Sequence, residues 1–189
     1  VFQASVTITN NTGSVLNDVV YRRAMDWDIP PTEFSEYVTH VGVEANLESN
    51  GGNVRYASDN GFANVNPLVS AGAQNSSTIN VDFEDNGPSD HGSVFDFAFG
   101  EIEAGGARTF NIFYGSAAGE DAAIAALDLL NADVYSLGQQ AGSPGDGLPA
   151  TFLFGFGGVG GIEPGSSEDN PVLPFVPAPG EFVFTSPEP

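Results

Sequence analysis

The sequence predicts a mainly β protein, an antiparallel β-sandwich with one α-helix at about residues 120–137. Short segments in which apolar and polar residues alternate recur along the chain, as in half-buried strands. Asn-Gly pairs and Gly- or Pro-rich stretches separate these segments, as hairpin turns and loops do. Only one stretch repeats its apolar residues at helical spacing. Strands that recur between turn signals are typical of a sandwich or a barrel.

The strand pattern is clear in several segments. In residues 1–9 valine and isoleucine alternate with serine and threonine, and turn residues follow at 10–13. In residues 93–99 three phenylalanines share one face of the predicted strand. The other predicted strands are residues 15–24, 36–43, 77–83, 108–114 and 151–156.

Residues 120–137 predict the helix. Glu120 and Asp121 fall in its first turn, where the helix dipole favours carboxylates, and Gly138 is a suitable stop. The apolar positions of one helical face are Ile124, Leu127, Leu130 and Val134.

The chain divides into two parts by composition. Residues 1–160 hold the predicted strands and helix, and we expect them to form the β-sandwich domain. Residues 161–189 are predicted to form a Gly/Pro-rich C-terminal arm that ends in a short strand at 181–185 and in Pro187-Glu188-Pro189.

The charge is strongly acidic. Asp and Glu total 25 against four arginines and no lysine, which gives a net charge of −21 in 189 residues. Binding of nucleic acid needs cations against phosphate, so the sequence predicts no nucleic-acid partner. Two interpretations fit this charge: a saline habitat, or bound divalent cations.

Two kinds of residue pattern are absent from the sequence. The chain contains no cysteine, which excludes disulfides, thiol catalysis and cysteine-based zinc sites. It contains no run of 18 apolar residues, so we expect no membrane span.

One candidate ligand site surrounds the only tryptophan. Trp27 could stack on a sugar ring while Asp26 and Asp28 bind its hydroxyl groups. The alternative is that Trp27 caps the core and the aspartates bond to backbone or to arginine. Strand alternation would put both aspartates on the face opposite Trp27, which argues against a joint site.

A second candidate is a calcium site in the acidic segment 82–90. Asp82, Glu84, Asn86 and Asp90 fall on the first, third, fifth and ninth positions of an EF-hand-like loop. The twelfth position is Ser93 and not glutamate, so the segment is not an EF-hand. A calcium loop between strands and a solvated acidic turn are both open.

The sequence predicts that the protein is not an enzyme. The sequence around its only histidines, His40 and His91, shows no spacing typical of a Ser-His-Asp triad. Residues 115–119 do not form a Gly-x-Ser-x-Gly elbow. A glycoside hydrolase needs only two carboxylates, and this less favoured alternative stays open.

Several stretches resemble a known family. Residues 18–39, 110–137 and 152–161, together with Pro187-Glu188-Pro189, resemble a domain of unassigned function in PEP-CTERM proteins, which bacteria secrete and process through an exosortase. The resemblance implies a secreted protein located outside the cell or at its surface. The hydrophobic helix and basic cluster that follow the tripeptide in that family do not follow it here, so we expect a trimmed or matured end.

These observations together predict a structural role. We expect a cell-surface or extracellular-matrix protein that self-associates into a homo-oligomer or polymer, such as a filament or sheath. A terminal strand, residues 1–9 or 181–185, would add to the sheet edge of a neighbour. The alternative is a carbohydrate-binding module for an extracellular polysaccharide, with Trp27 in its site.

Overall fold

The computed structural model describes residues 1–142 and 145–160 and confirms the predicted mainly β fold. The chain forms two antiparallel sheets and a helix. The strands are β1 (Phe2–Thr9), β2 (Leu16–Asp26), β3 (Glu36–Val41), β4 (Val54–Ser58), β5 (Phe83–Ser89), β6 (Gly92–Ile102), β7 (Ala107–Ala117), β8 (Val134–Gln140) and β9 (Thr151–Gly157), and the helix is α1 (Glu120–Leu129).

The two sheets differ in size. The larger has the order β1-β7-β9-β8-β3-β5 and the smaller has the order β2-β6-β4. Every neighbouring pair is antiparallel. Strands β1 and β5 are therefore the edges of the large sheet, and β2 and β4 are the edges of the small one.

Aromatic rings fill the space between the sheets. Phe95, Phe97 and Phe99 alternate along β6 and stack at centroid spacings of 6.2 and 6.3 Å. Phe156 of β9 meets Phe97 edge-on at 4.7 Å, so the sheets interlock through their rings. The alternation seen in residues 93–99 is the pattern that places these rings on one face.

Helix α1 covers the outer face of the large sheet and forms a second core. Leu127 of the helix is fully buried against the sheet, and Leu153 of β9 lies beneath it. The molecule thus has three layers: small sheet, large sheet and helix. None of the helices within the described ranges has the length and apolar character that crossing a membrane requires.

The helix is shorter than its apolar spacing predicts. It ends at Leu129, and Asn131 then adopts a left-handed conformation with φ of 51° that stops the helix. Residues Val134–Gln140 form β8, which is buried on both faces between β9 and β3. The residues of β8 do not alternate between apolar and polar, and the three-residue spacing of Val134 and Leu137 therefore continues the helical pattern.

Two other segments differ from their predictions. Residues 77–83 are not a strand, because Ser76–Thr78 form a 3-10 turn and β5 begins only at Phe83. Strand β4 was not predicted at all, because its five residues include an exposed arginine between buried positions. The predicted arm at 161–189, with its strand at 181–185, lies outside the described residues.

Candidate functional site

The structure places Trp27 inside the protein. The indole is 6% exposed, and its Nε1–H donates to Ser136 Oγ at 3.2 Å. A Cβ at position 138 would lie 2.6 Å from the indole ring, so the close approach of β8 requires Gly138 there. Asp26 and Asp28 are exposed on the other side of the chain. The structure therefore does not bring the three side chains to one sugar-binding surface.

The two aspartates beside Trp27 belong to an acidic cluster instead. Burial raises the pKa of Asp26, and the nearby carboxylates of Asp28 and Asp90 raise it further. Like charges at short range favour the protonated form of Asp26. A backbone hydrogen bond from Trp27 N to His91 O, at 3.4 Å, holds Asp26 and Asp28 close to Asp90.

The predicted calcium residues are not in one loop. The irregular strand β5 lies between Asp82 and Asp90, and its ends pair with Glu36 and His40 of β3, which separates the two aspartates by roughly 20 Å. Calcium ligands lie about 2.4 Å from the ion, so Asp82 and Asp90 do not share one. Residues 83–89 form an irregular edge strand and not a single loop or turn.

Asp82 and Asn86 bind other parts of the protein. Asp82 Oδ1 accepts from Val43 N at 2.7 Å. Asn86 donates to Asp59 Oδ2 at 3.1 Å and accepts from Asn75 at 3.3 Å, while Glu84 is exposed. Within residues 1–142 and 145–160, no group of three or more histidines and acidic residues is arranged to hold a metal ion. Calcium binding by this chain stays a prediction.

A buried polar network lies between the sheets. Ser93 Oγ donates to Ser136 Oγ at 2.6 Å, and His40 Nε2 lies 2.9 Å from Ser93 Oγ. All three side chains are fully buried. Burial lowers the pKa of His40 to about 3, because the interior disfavours the imidazolium.

The second histidine belongs to the same interior. His91 Nδ1 lies 3.4 Å from Asp59 Oδ2, and His91 Nε2 lies 3.0 Å from Glu36 O. Asp59 also accepts from backbone N–H groups and from Thr78, and these bonds hold its pKa below the usual range against the opposing effect of burial. Sequence spacing gave no signal for this network, since its members come from five separate segments.

One surface groove gathers carboxylates. A cavity of about 380 Å³ between α1 and β5 is lined by Asp82, Glu84 and Glu120. Burial raises the pKa of Glu120, and the Gln139 side-chain N–H bonds to its carboxylate. Glu120 is thus already engaged within the protein.

The outer edge of β1 is open. The strand pairs with β7 over Phe2–Thr9, and no described residue pairs with its other side. Its sequence, Phe-Gln-Ala-Ser-Val-Thr-Ile-Thr, contains no charge and no proline. An edge strand of this length presents a row of unpaired N–H and C=O groups that another strand can use.

The other three edges carry features that oppose pairing. β5 contains Pro88, two acidic residues and register shifts. β4 is short, and Asn80 already bonds both Ala57 N, at 2.8 Å, and Ala57 O, at 3.0 Å. β2 carries Asp18, Arg22, Arg23 and Asp26 and has a bulge.

The region around β1 lacks acidic residues, although the chain as a whole is strongly acidic. Residues 1–17 and 104–119, which include β1 and β7, contain no Asp or Glu. Two of the four arginines add positive charge here: Arg108, within β7, stacks over Phe99 at 5.2 Å, and Arg23, in β2, stacks over Tyr114 at 5.9 Å. Phe2, at the start of β1, is 81% exposed. The edge is therefore neutral and apolar at one end, within a protein of net charge −21.

Comparison of the chain with protein-family models, with curated proteins and with solved structures finds no match in any of the three.

Proposed function

We propose that this is a secreted structural protein of the cell surface or extracellular matrix that self-associates by strand addition at β1. Strand addition at β1 would supply one of the contacts of a filament or sheath. The observation that carries the proposal is the open edge of β1, which is eight residues long and free of charge and proline.

The energetics favour association at this edge over other surfaces. Each new backbone hydrogen bond contributes about 0.5–1.5 kcal/mol net, and burial of an exposed phenylalanine side chain adds about 1.5–3 kcal/mol. The surface outside this edge is acidic, and the net charge of −21 makes two copies repel each other. A neutral edge on an acidic body therefore directs one copy toward a particular contact on another.

The location outside the cell is supported by the sequence resemblance. Pro187-Glu188-Pro189 and the three internal stretches resemble secreted PEP-CTERM proteins. The proposed role contains no chemical step and needs no cofactor. Calcium or other cations would assist it by screening the acidic surface.

A matched pair of charge substitutions tests the proposal. Ser5→Glu adds a carboxylate on the exposed face of β1, and Ser14→Glu makes the same change in an exposed turn outside it. A charged side chain on an edge strand opposes its pairing with another strand, so Ser5→Glu should weaken association about fivefold, which corresponds to about 1 kcal/mol. Ser14→Glu should behave as the wild-type protein does.

Sedimentation velocity over a range of protein concentrations, with electron microscopy of the same samples, measures the effect. The proposal fails if the wild-type protein stays monomeric at high concentration with salt and calcium present. It also fails if the two variants associate equally well.

A further inference from the structure

We infer that the strand that pairs with β1 is β1 of a second copy, antiparallel across a two-fold axis at Ser5. The inference rests on the proposed self-association and specifies its partner and register. Three features of the described residues lead to it: the condition of the other sheet edges, the face on which each β1 residue lies, and the exposure of Phe2.

The choice of partner strand follows from the edges. Strand directions alternate across the large sheet, so β5 of a neighbour would also be antiparallel to β1. However, Pro88 offers no N–H, and Glu84 and Asp85 would bring charge to the junction. All eight residues of β1 have a backbone N–H and a neutral side chain. Pairing β1 with itself avoids both defects.

Symmetry restricts the register. A two-fold axis perpendicular to the sheet keeps the core faces of both copies on one side. Because strand residues alternate between faces, even-numbered residues must then face even-numbered ones. Pairing Phe2 with Thr9 would break this rule. The longest allowed ladders have seven residues and place either Ser5 or Val6 on the axis.

Phe2 selects between these two registers. Val6 and Ile8 pack against the core, so Phe2 has the same parity as the core-facing residues. With Ser5 on the axis, Phe2 packs beside Ile8 of the second copy and loses its contact with water. With Val6 on the axis, Phe2 lies beyond the ladder and stays exposed. The register at Ser5 is therefore the one that buries the 81% exposed ring.

The outer face of the same ladder is polar and neutral. Ser5 meets Ser5 of the second copy, and Gln3 meets Thr7. The result joins two six-stranded sheets into one of twelve strands and closes the β1 edge. A filament or sheath would then grow from this dimer through a different contact.

Cysteine cross-linking reads the register directly, because the natural chain has no cysteine. Ser5→Cys should form a disulfide-linked dimer under mild oxidation, several-fold faster than the control Ser14→Cys. Gln3→Cys and Thr7→Cys should each cross-link poorly alone and well when mixed. If Val6 lies on the axis instead, the mixture of Ser5→Cys and Thr7→Cys should be the efficient one.

A second pair of variants tests the role of the aromatic ring. Phe2→Ala should raise the dimer dissociation constant at least about a hundredfold, because the two-fold dimer loses two buried rings at about 1.5–3 kcal/mol each. Phe62→Ala removes a ring that is 52% exposed elsewhere and should leave the constant unchanged.

The outcomes separate this inference from the proposed function. Cross-linking at Ser5, with the loss caused by Phe2→Ala, supports both. Association of the wild-type protein with no more cross-linking at Ser5 than at Ser14 overturns the inference and leaves the proposed function standing. A wild-type protein that sediments as a monomer overturns both.

Discussion

His40 shows what a buried titratable side chain costs at low pH. The unfolded chain binds a proton on this imidazole near pH 6.5, whereas the folded chain does so only near pH 3. Stability that is fully present above pH 6.5 is therefore lost as the pH falls toward 3, at about 1.4 kcal/mol per pH unit. Asp26, Glu36, Asp85 and Glu120 oppose this loss, because their raised pKa values favour the folded state as the pH falls.

The substitution His40→Phe isolates the contribution of the imidazole. The new ring keeps the stacking with Phe83 and Phe95, and it removes the proton-binding group. Between pH 7 and pH 4 the variant should lose roughly 3 kcal/mol less unfolding free energy than the wild-type protein. Urea denaturation at the two pH values measures the difference. Equal losses in the two proteins would show that His40 is not the controlling group.

Arg22 is the other residue whose burial makes it sensitive. Its guanidinium forms a two-point ion pair with Asp96, with both contacts at 2.6 Å, and Nη1 donates to three carbonyls of the loop at residues 64–69. Arg22→Met would leave Asp96 buried without its partner and should cost about 3–5 kcal/mol of unfolding free energy. Chemical denaturation measures the cost.

The neighbouring Arg23 provides the matched control for Arg22. It is exposed and donates to Tyr114 Oη at 3.0 Å, so Arg23→Met should cost less than about 1 kcal/mol. A similar cost for the two variants would contradict the assigned role of the buried pair.

At the scale of elements, the sequence predicts the strands in which residue types alternate with a period of two. β1, β6 and β7 alternate in the sequence, and the structure forms all three. β8 is buried on both faces and was merged with α1, and β5 is an irregular edge strand that looked like a turn. Trp27 illustrates the same limit, because residue type alone does not tell whether an aromatic ring lies on a surface or in the core.

Contact between β8 and Trp27 yields a prediction about packing. Gly138→Ala would place a methyl group 2.6 Å from the indole ring and 2.9 Å from Ile29, which forces overpacking. The expected cost is about 1–3 kcal/mol of unfolding free energy, measured by thermal or urea denaturation. Gly13→Ala is the control, since no atom lies within 4 Å of the added group. Equal stability of the two variants would contradict the close packing of β8.

For the whole molecule, charge is distributed unevenly across the large sheet. The strands β1, β7, β9 and β8 contain no Asp or Glu, whereas β3 and β5 at the other end contain three. The sequence shows the acidic total, but the gradient appears only once strand order is known, because β1 and β7 are about 100 residues apart in the chain. The fold thus turns a uniform-looking acidic composition into one neutral edge.

This gradient predicts how association depends on salt. If the contact at β1 is neutral and the rest of each copy is acidic, screening should strengthen the dimer. Raising sodium chloride from about 10 mM to about 100 mM shortens the Debye length from about 30 Å to about 10 Å, and we expect the association constant to rise at least about tenfold. Sedimentation equilibrium measures that constant.

Calcium chloride at matched ionic strength should raise the association constant no more than magnesium chloride does if cations act by screening alone. A larger effect of calcium would reveal a specific site. A constant that falls as salt rises would mean that ion pairs hold the copies together, which the uncharged β1 edge does not supply.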